Sequence, residues 1–291
     1  MNRQTRQNAR LGWRLAAGAA LVLLAGCSRL QQANARLETI ESDRARGLVR
    51  DCLWKHGSHY RWVERDSVRL EVERTDHAPG SARAKPGSAE ATPGSERTSA
   101  EVWTWDIARG DVRIERPAAG EVILADGLGG GVFVGGKRTA DLEARDEAAG
   151  AVRLVRELAA MPFSLLGPGL RIECLDSETG PAGARVWDRL LVRYGRASPA
   201  GPADSAVVEI RRDTGRVEAV ILRWTELPFA GRRWRIEMDD WRPEGDLLVS
   251  HRWRFFPADD SGARAGPVRW TFRFVRWTWD VTTPGRLFSR P

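Results

Sequence analysis

Cysteine is scarce in this 291-residue chain: there are three, Cys27, Cys52 and Cys174, with no C-x-x-C or other close ligand spacing. That excludes a zinc module and a disulfide-dense scaffold. Histidine is nearly as rare, with four residues, of which only His56 and His59 stand close together. Gly57 separates that pair at the end of an expected helix, so we assign no metal site, and His56 reads as a C-terminal helix residue favoured by the dipole. The glycine run "DGLGGGVFVGGKR" matches neither GxxxxGK[ST] nor GxGxxG and reads as a hairpin turn, not a nucleotide loop. Ser164 and Ser205 lack a G-x-S-x-G elbow, and Asp239 and Asp240 are adjacent residues that a strand would point to opposite faces. No catalytic set and no cofactor site emerges, so the chain reads as a non-enzyme. Charge of one sign is also in short supply. The formal +7 includes Arg3, Arg6, Arg10 and Arg14, and without them it falls to about +3, too little to argue for a nucleic-acid partner.

No apolar run is long enough to span a bilayer as a helix; the longest, Leu15 to Gly26, has about twelve residues. Four arginines precede it and small residues end it, the order of a secretory leader. The stretch "LVLLAGC" resembles the lipobox of bacterial lipoproteins. The resemblance implies cleavage before Cys27 and a diacylglyceryl group on its sulfur. It also implies, with Ser28 rather than aspartate following, delivery to the periplasmic face of the outer membrane, the inner membrane or the cell surface being the alternatives if the host sorts by another rule. In that oxidising compartment a disulfide between Cys52 and Cys174 is permitted, but not required.

The organisation expected is therefore a leader over 1–26, an acylated cysteine and tether over 27–36, and one domain over 37–285. Helical spacing in "LETIESDRARGLVRDCLW" gives a first helix, and Val68, Leu70 and Val72 alternate as a first strand. Residues 75–99, rich in Pro, Gly, Ser and charge, form a flexible, disordered insertion in a hairpin. Further strands follow, then a helix over roughly 138–160 that Pro162 ends. The C-terminal part reads as hairpins, one of them around Asp213-Thr214-Gly215-Arg216. The fold class expected is mainly β with helices (α+β): about nine to eleven antiparallel strands in a strongly curved sheet, with helices in its concavity. Thirteen tryptophans, many alternating with arginine, read in two ways. They are core residues covered by arginine stems, or they line a groove for lipid chains; the two can coexist.

Three segments carry a family resemblance: "LVRDCLWKHGSHYRW", "MPFSLLGPGLRIE" and "VVEIRRDTGRVEAVILRWTE". The His56-Gly57 step followed by Trp62, the Met161–Leu165 segment followed by Pro168-Gly169, and the turn at Asp213 resemble the LolA/LolB-like superfamily. The match covers roughly 37–280 less the insertion, which is itself a departure from the family pattern, as is Met161 where leucine is usual. The resemblance implies an antiparallel half-barrel whose cavity holds acyl chains. On that reading Trp103, Trp105, Phe163, Leu165, Trp234, Trp253 and Trp270 contact a hydrophobic guest, and Pro162, Pro168 and Gly169 gate the mouth. The partners expected are a membrane, through the anchor, and a lipid or acylated protein, with the chain a monomer. The competing reading is a structural or protein-interaction envelope lipoprotein whose core is filled by its own aromatics.

Overall fold

The structure, a computed structural model, describes residues 29–77, 96–125, 131–179, 186–195, 204–224, 229–282 and 288. The leader, Cys27 and residues 78–95 of the insertion lie outside the described residues. The ends of that insertion do not: β1 runs through Ser67–Asp76 and β2 through Arg97–Asp106, paired from Ser67↔Asp106 out to Asp76↔Arg97. The segment expected as a tether is helical from residue 29, forming α1 over 29–38.

Three helices follow, α2 (Asp43–Lys55), α3 (His59–Val63) and, later, α4 (Leu142–Leu154). Each begins at a side-chain cap: Ser42 accepts from the Ala45 amide, Ser58 from Tyr60, and Asp141 from Glu143 and Ala144. The remaining strands are β3 (Asp111–Arg116), β4 (Glu121–Ala125), β5 (Gly131–Val134), β6 (Lys137–Arg138), β7 (Leu170–Thr179), β8 (Val186–Tyr194), β9 (Ser205–Arg211), β10 (Arg216–Arg223), β11 (Arg233–Glu244), β12 (Leu247–Ala258) and β13 (Trp270–Trp279). All thirteen join one sheet in the order β6-β5-β4-β3-β2-β1-β13-β12-β11-β10-β9-β8-β7. Two meanders, β1–β6 and β7–β13, thus grow outward from a central β1–β13 seam, and α4 carries the chain from one outer edge to the other.

This corrects the half-barrel expectation. The fold is a mixed helix and antiparallel-sheet arrangement, but the sheet is open, neither closed nor strongly curled. Closure needs edge strands that can pair along their length, and β6, one edge, has only two residues against ten in β7. Alternating hydrophobicity reports which face a residue takes; it says nothing about whether the edges meet.

One face of the sheet holds the core, with Val68, Leu70, Val72, Trp103, Ile114, Trp253, Phe255 and Phe274 all buried. A bulge in the β1–β13 pairing changes the alternation in β13. Val72 faces Phe274 while Glu71 faces Arg276, so Phe274 and Trp277 are both buried and Val275 is exposed. The opposite face carries charge. Glu209 accepts from Arg235 at 2.7 Å, Arg264 from the β12–β13 connection pairs with Glu237, and Arg254 lies 2.9 Å from Asp239. The Arg–Trp alternation is therefore a division between an ion-paired face and an aromatic core.

Glu101 is the exception, a carboxylate 3 % exposed within β2. It accepts from Trp103 Nε1 at 2.7 Å and from Arg116 Nε at 3.2 Å, with Arg74 at 3.8 Å. Glu101→Ala would leave Trp103 Nε1 without its acceptor and take one of two carboxylates from Arg116 and Arg74, which keep Glu121 and Asp76, and we expect a loss of about 2 kcal/mol in urea unfolding. A loss within experimental error would show that the network relaxes without cost. Cys52 and Cys174 stand as free thiols, Cys52 buried on the inner side of α2, and the bridge between them is not formed.

Candidate functional site

The connection from α2 to α3 determines where the site's aromatic floor lies. Gly57 has φ +101°, a conformation open to glycine, and Ser58 follows at φ +73°. The backbone there is stitched to β12 by the Leu248 amide, which donates to His56 O at 3.1 Å. His56 is fully buried, its Nδ1–H donates to Cys52 O at 2.8 Å, and its ring meets Trp241 edge-on at 4.7 Å. Burial holds its pKa down to about 4, so it is neutral and not the dipole-stabilised cation expected from its place at the helix end. With the turn so fixed, α3 lays Trp62 against the sheet. The Trp62 ring stacks on Phe163 at 4.9 Å and 4°, and lies 5.7 Å from Trp105 and 6.0 Å from Trp279.

Above these rings lies a cleft of about 490 Å³ between α1, α3, the end of β2 and the segment 156–170. Its apolar lining includes Trp62, Trp105, Ile107, Phe163, Leu166 and Leu170. Two arginines tie its walls together. Arg36 of α1 donates to Leu166 O at 2.9 Å, and Arg156 donates to Gly110 O. A third, Arg29, donates to Val63 O and Arg65 O and pairs with Asp66 at 2.8 Å. A second cleft, of about 1060 Å³, lies along α4 and is lined by Ile123, Leu124, Val132, Val152 and Leu170 among others. Arg156, Glu157, Pro168, Leu170 and Tyr194 line both, so the two lie side by side and share a wall.

The residues singled out from sequence separate into groups. Trp105 and Phe163 line the smaller cleft, and Leu165 is buried on the same turn, 163–166, without lining it. Trp103 and Trp253 pack ring to ring with Phe272 and Phe274 in the core, at 4.4–6.3 Å. Trp234 and Trp270 form another cluster, 4.6 Å apart, with Phe229 and Phe255. Pro162 opens the turn before Phe163, Pro168 lines both clefts, and Gly169, at φ +73°, accepts from the Gly195 amide at 3.1 Å. Cys27 lies outside the described residues. Trp62 was named only as part of the family motif and not as a guest contact, and Leu166, Leu170 and the arginines at 29, 36 and 156 were not singled out; "MPFSLLGPGL" contains the two leucines, but the arginines come together only through the fold.

The arrangement offers apolar surface rather than reactive groups. The four histidines take separate partners: His59 Nε2 pairs with Asn34, His77 with Thr271 and Glu96, and His251 Nδ1–H donates to Phe274 O. Ser164 Oγ donates to Met161 Sδ at 3.7 Å, and burial pushes the Cys52 thiol up, away from the reactive thiolate. Among the described residues, no three of His, Cys, Asp and Glu gather as a metal would require, and no helix is long and apolar enough to cross a membrane.

No protein-family profile matches the chain, and no curated protein matches it by sequence. Solved structures do resemble it. A LolA superfamily protein from Nitrosomonas europaea superposes with a TM-score of 0.50 at 12 % identity, over 82 % of this chain and 96 % of that one. A domain assigned to outer membrane lipoprotein sorting, from Vibrio parahaemolyticus, gives a TM-score of 0.44 at 10 % identity, over 77 % and 89 %. At such identities the likeness is one of fold: this chain is structurally similar to the LolA superfamily.

Proposed function

We propose that this chain is a non-catalytic binding protein that holds a hydrophobic guest, an acyl chain, in the cleft floored by Trp62, Trp105 and Phe163. The observation that carries the reading is the cleft of about 490 Å³, apolar at its base and sharing a wall with a larger one. That size lies within the range of about 300–1,000 Å³ typical of small-molecule sites. An acyl chain gains about 0.8 kcal/mol for each methylene buried, enough for capture yet shallow enough for release to an acceptor of similar apolarity. Cys27 carries the lipid anchor, and the protein works at the periplasmic face of the outer membrane. The LolA-like fold supports this reading.

A specific observation favours a second reading for the rest of the sheet. Trp103, Trp253, Phe272 and Phe274 fill the space over the seam themselves, as a structural or partner-docking lipoprotein would require. Ala108, exposed and at the rim of the cleft, separates the two. With a fluorescent fatty acid as probe, the binding reading predicts saturable one-to-one uptake that Ala108→Trp weakens at least about tenfold by occupying the mouth. Absence of saturable uptake by the unmodified protein would favour the self-filled reading.

A further inference from the structure

We propose that the rim of the smaller cleft, formed by Arg29, Gln32, Arg36, Ala108 and Arg156, rests on an anionic lipid surface, so that the cleft opens directly onto the bilayer. The proposal rests on Cys27 being acylated, and adds which face of the domain meets the membrane. The short chain between anchor and domain sets this orientation. One residue separates Cys27 from Arg29. Consecutive Cα atoms are 3.80 Å apart, so the anchor's Cα lies within about 7.6 Å of that of Arg29. Arg29 is not a loose leash: it begins α1 and is held by Val63 O, Arg65 O and the Asp66 carboxylate. Arg29 also lines the cleft. An acyl group on Cys27 therefore enters the bilayer beside the cleft mouth, and the domain has no length of chain with which to stand away.

Charge favours the same contact. The cleft lining contains three arginines, at 29, 36 and 156, against one carboxylate, Glu157, which is bonded to Arg153 at 2.8 Å. Arg36 and Arg156 bond backbone carbonyls, and among the described residues neither is ion-paired with a carboxylate. Each keeps its positive charge at the rim, the arrangement that attracts phosphate headgroups. A guest then passes between bilayer and cleft without crossing water, which would otherwise cost the burial energy of every methylene.

The test uses the unacylated mature chain from Cys27, which contains every described element, and vesicles of phosphatidylcholine with or without phosphatidylglycerol. We expect it to bind the anionic vesicles and R36E/R156E to bind about 30-fold more weakly. The control R223E/R276E, which reverses two exposed arginines lining neither cleft, is expected to bind unchanged. Equal losses in the two double variants, or none in R36E/R156E, would overturn the proposal. Because Arg36 also braces Leu166, a second readout avoids altering it. A polarity-sensitive dye on Gln32→Cys, with Cys27→Ser and Cys174→Ser so that the buried Cys52 is the one other thiol left, is expected to shift to the blue on anionic vesicles, and the same dye on Arg223→Cys in that background is not. A shift at both positions or at neither contradicts the docking. Co-purified lipid is measured on the same samples. Retained lipid with no rim dependence would sink the docking alone, and rim dependence without lipid would sink the binding reading alone.

Discussion

Gly57→Ala is expected to destabilise the protein by about 4 kcal/mol and to lower its melting temperature by about 10 °C. Two effects add. The residue sits at φ +101°, where an L side chain is strained, and a Cβ at that position would stand 2.2 Å from Asp246 O and 3.0 Å from Leu247 Cα. Those atoms belong to the β11–β12 turn and the start of β12, backbone that cannot step aside without breaking the His56 O bond from Leu248. Gly47 is the internal contrast: it lies inside α2 with open space, nothing within 4 Å, where an alanine methyl would sit, so Gly47→Ala should stabilise by up to about 1 kcal/mol. Thermal unfolding followed by circular dichroism measures both. A Gly57→Ala protein melting with the unsubstituted one would show that the α2–α3 turn is not held against β12 as described.

Acid is expected to weaken the fold through His56 well before the carboxylates are protonated. Its pKa is lowered from 6.5 to about 4, first by burial, with the nearby Arg216 adding to the same direction against its bond to Cys52 O. The unfolded chain therefore takes up the proton first. Stability is fully present above pH 6.5 and is lost progressively as pH falls towards 4, by about 3 kcal/mol in all. His59, also lowered by burial, acts in the same direction. Urea midpoints for His56→Gln, whose amide can still donate to Cys52 O, should show a flatter dependence over this window. An unchanged slope would mean that His56 is protonated in the folded protein.

How much of this was legible beforehand depended on the range of the interaction. The β9–β10 hairpin needed only Gly215 and the alternation around it, and the turn is there with Gly215 at φ +67°. The helix expected over roughly 138–160 is there, but α4 begins at Leu142, where Asp141 caps it, a local signal the spacing of apolar residues does not report. Burial of His56 was not legible, because it comes from Trp241 and Leu248, nearly two hundred residues away. Nor was the state of the sheet, since a linear strand order with a two-residue edge depends on where pairing stops rather than on which residues alternate. Tryptophan was the most ambiguous signal. Trp103 and Trp105 share one face of one strand, yet one packs in the core against Phe272 and the other lines the cleft beneath Trp62. The difference lies in what the neighbouring elements place above each ring.

The most direct measurement is mass spectrometry under native conditions of the protein gently recovered from its membrane, beside Ala108→Trp prepared identically. The account predicts a co-purifying lipid or acylated species on the unmodified protein that Ala108→Trp lacks while keeping its fold. A clean mass for the unmodified protein, unaltered by added lipid, would contradict the claim that the Trp62–Trp105–Phe163 cleft is a binding site.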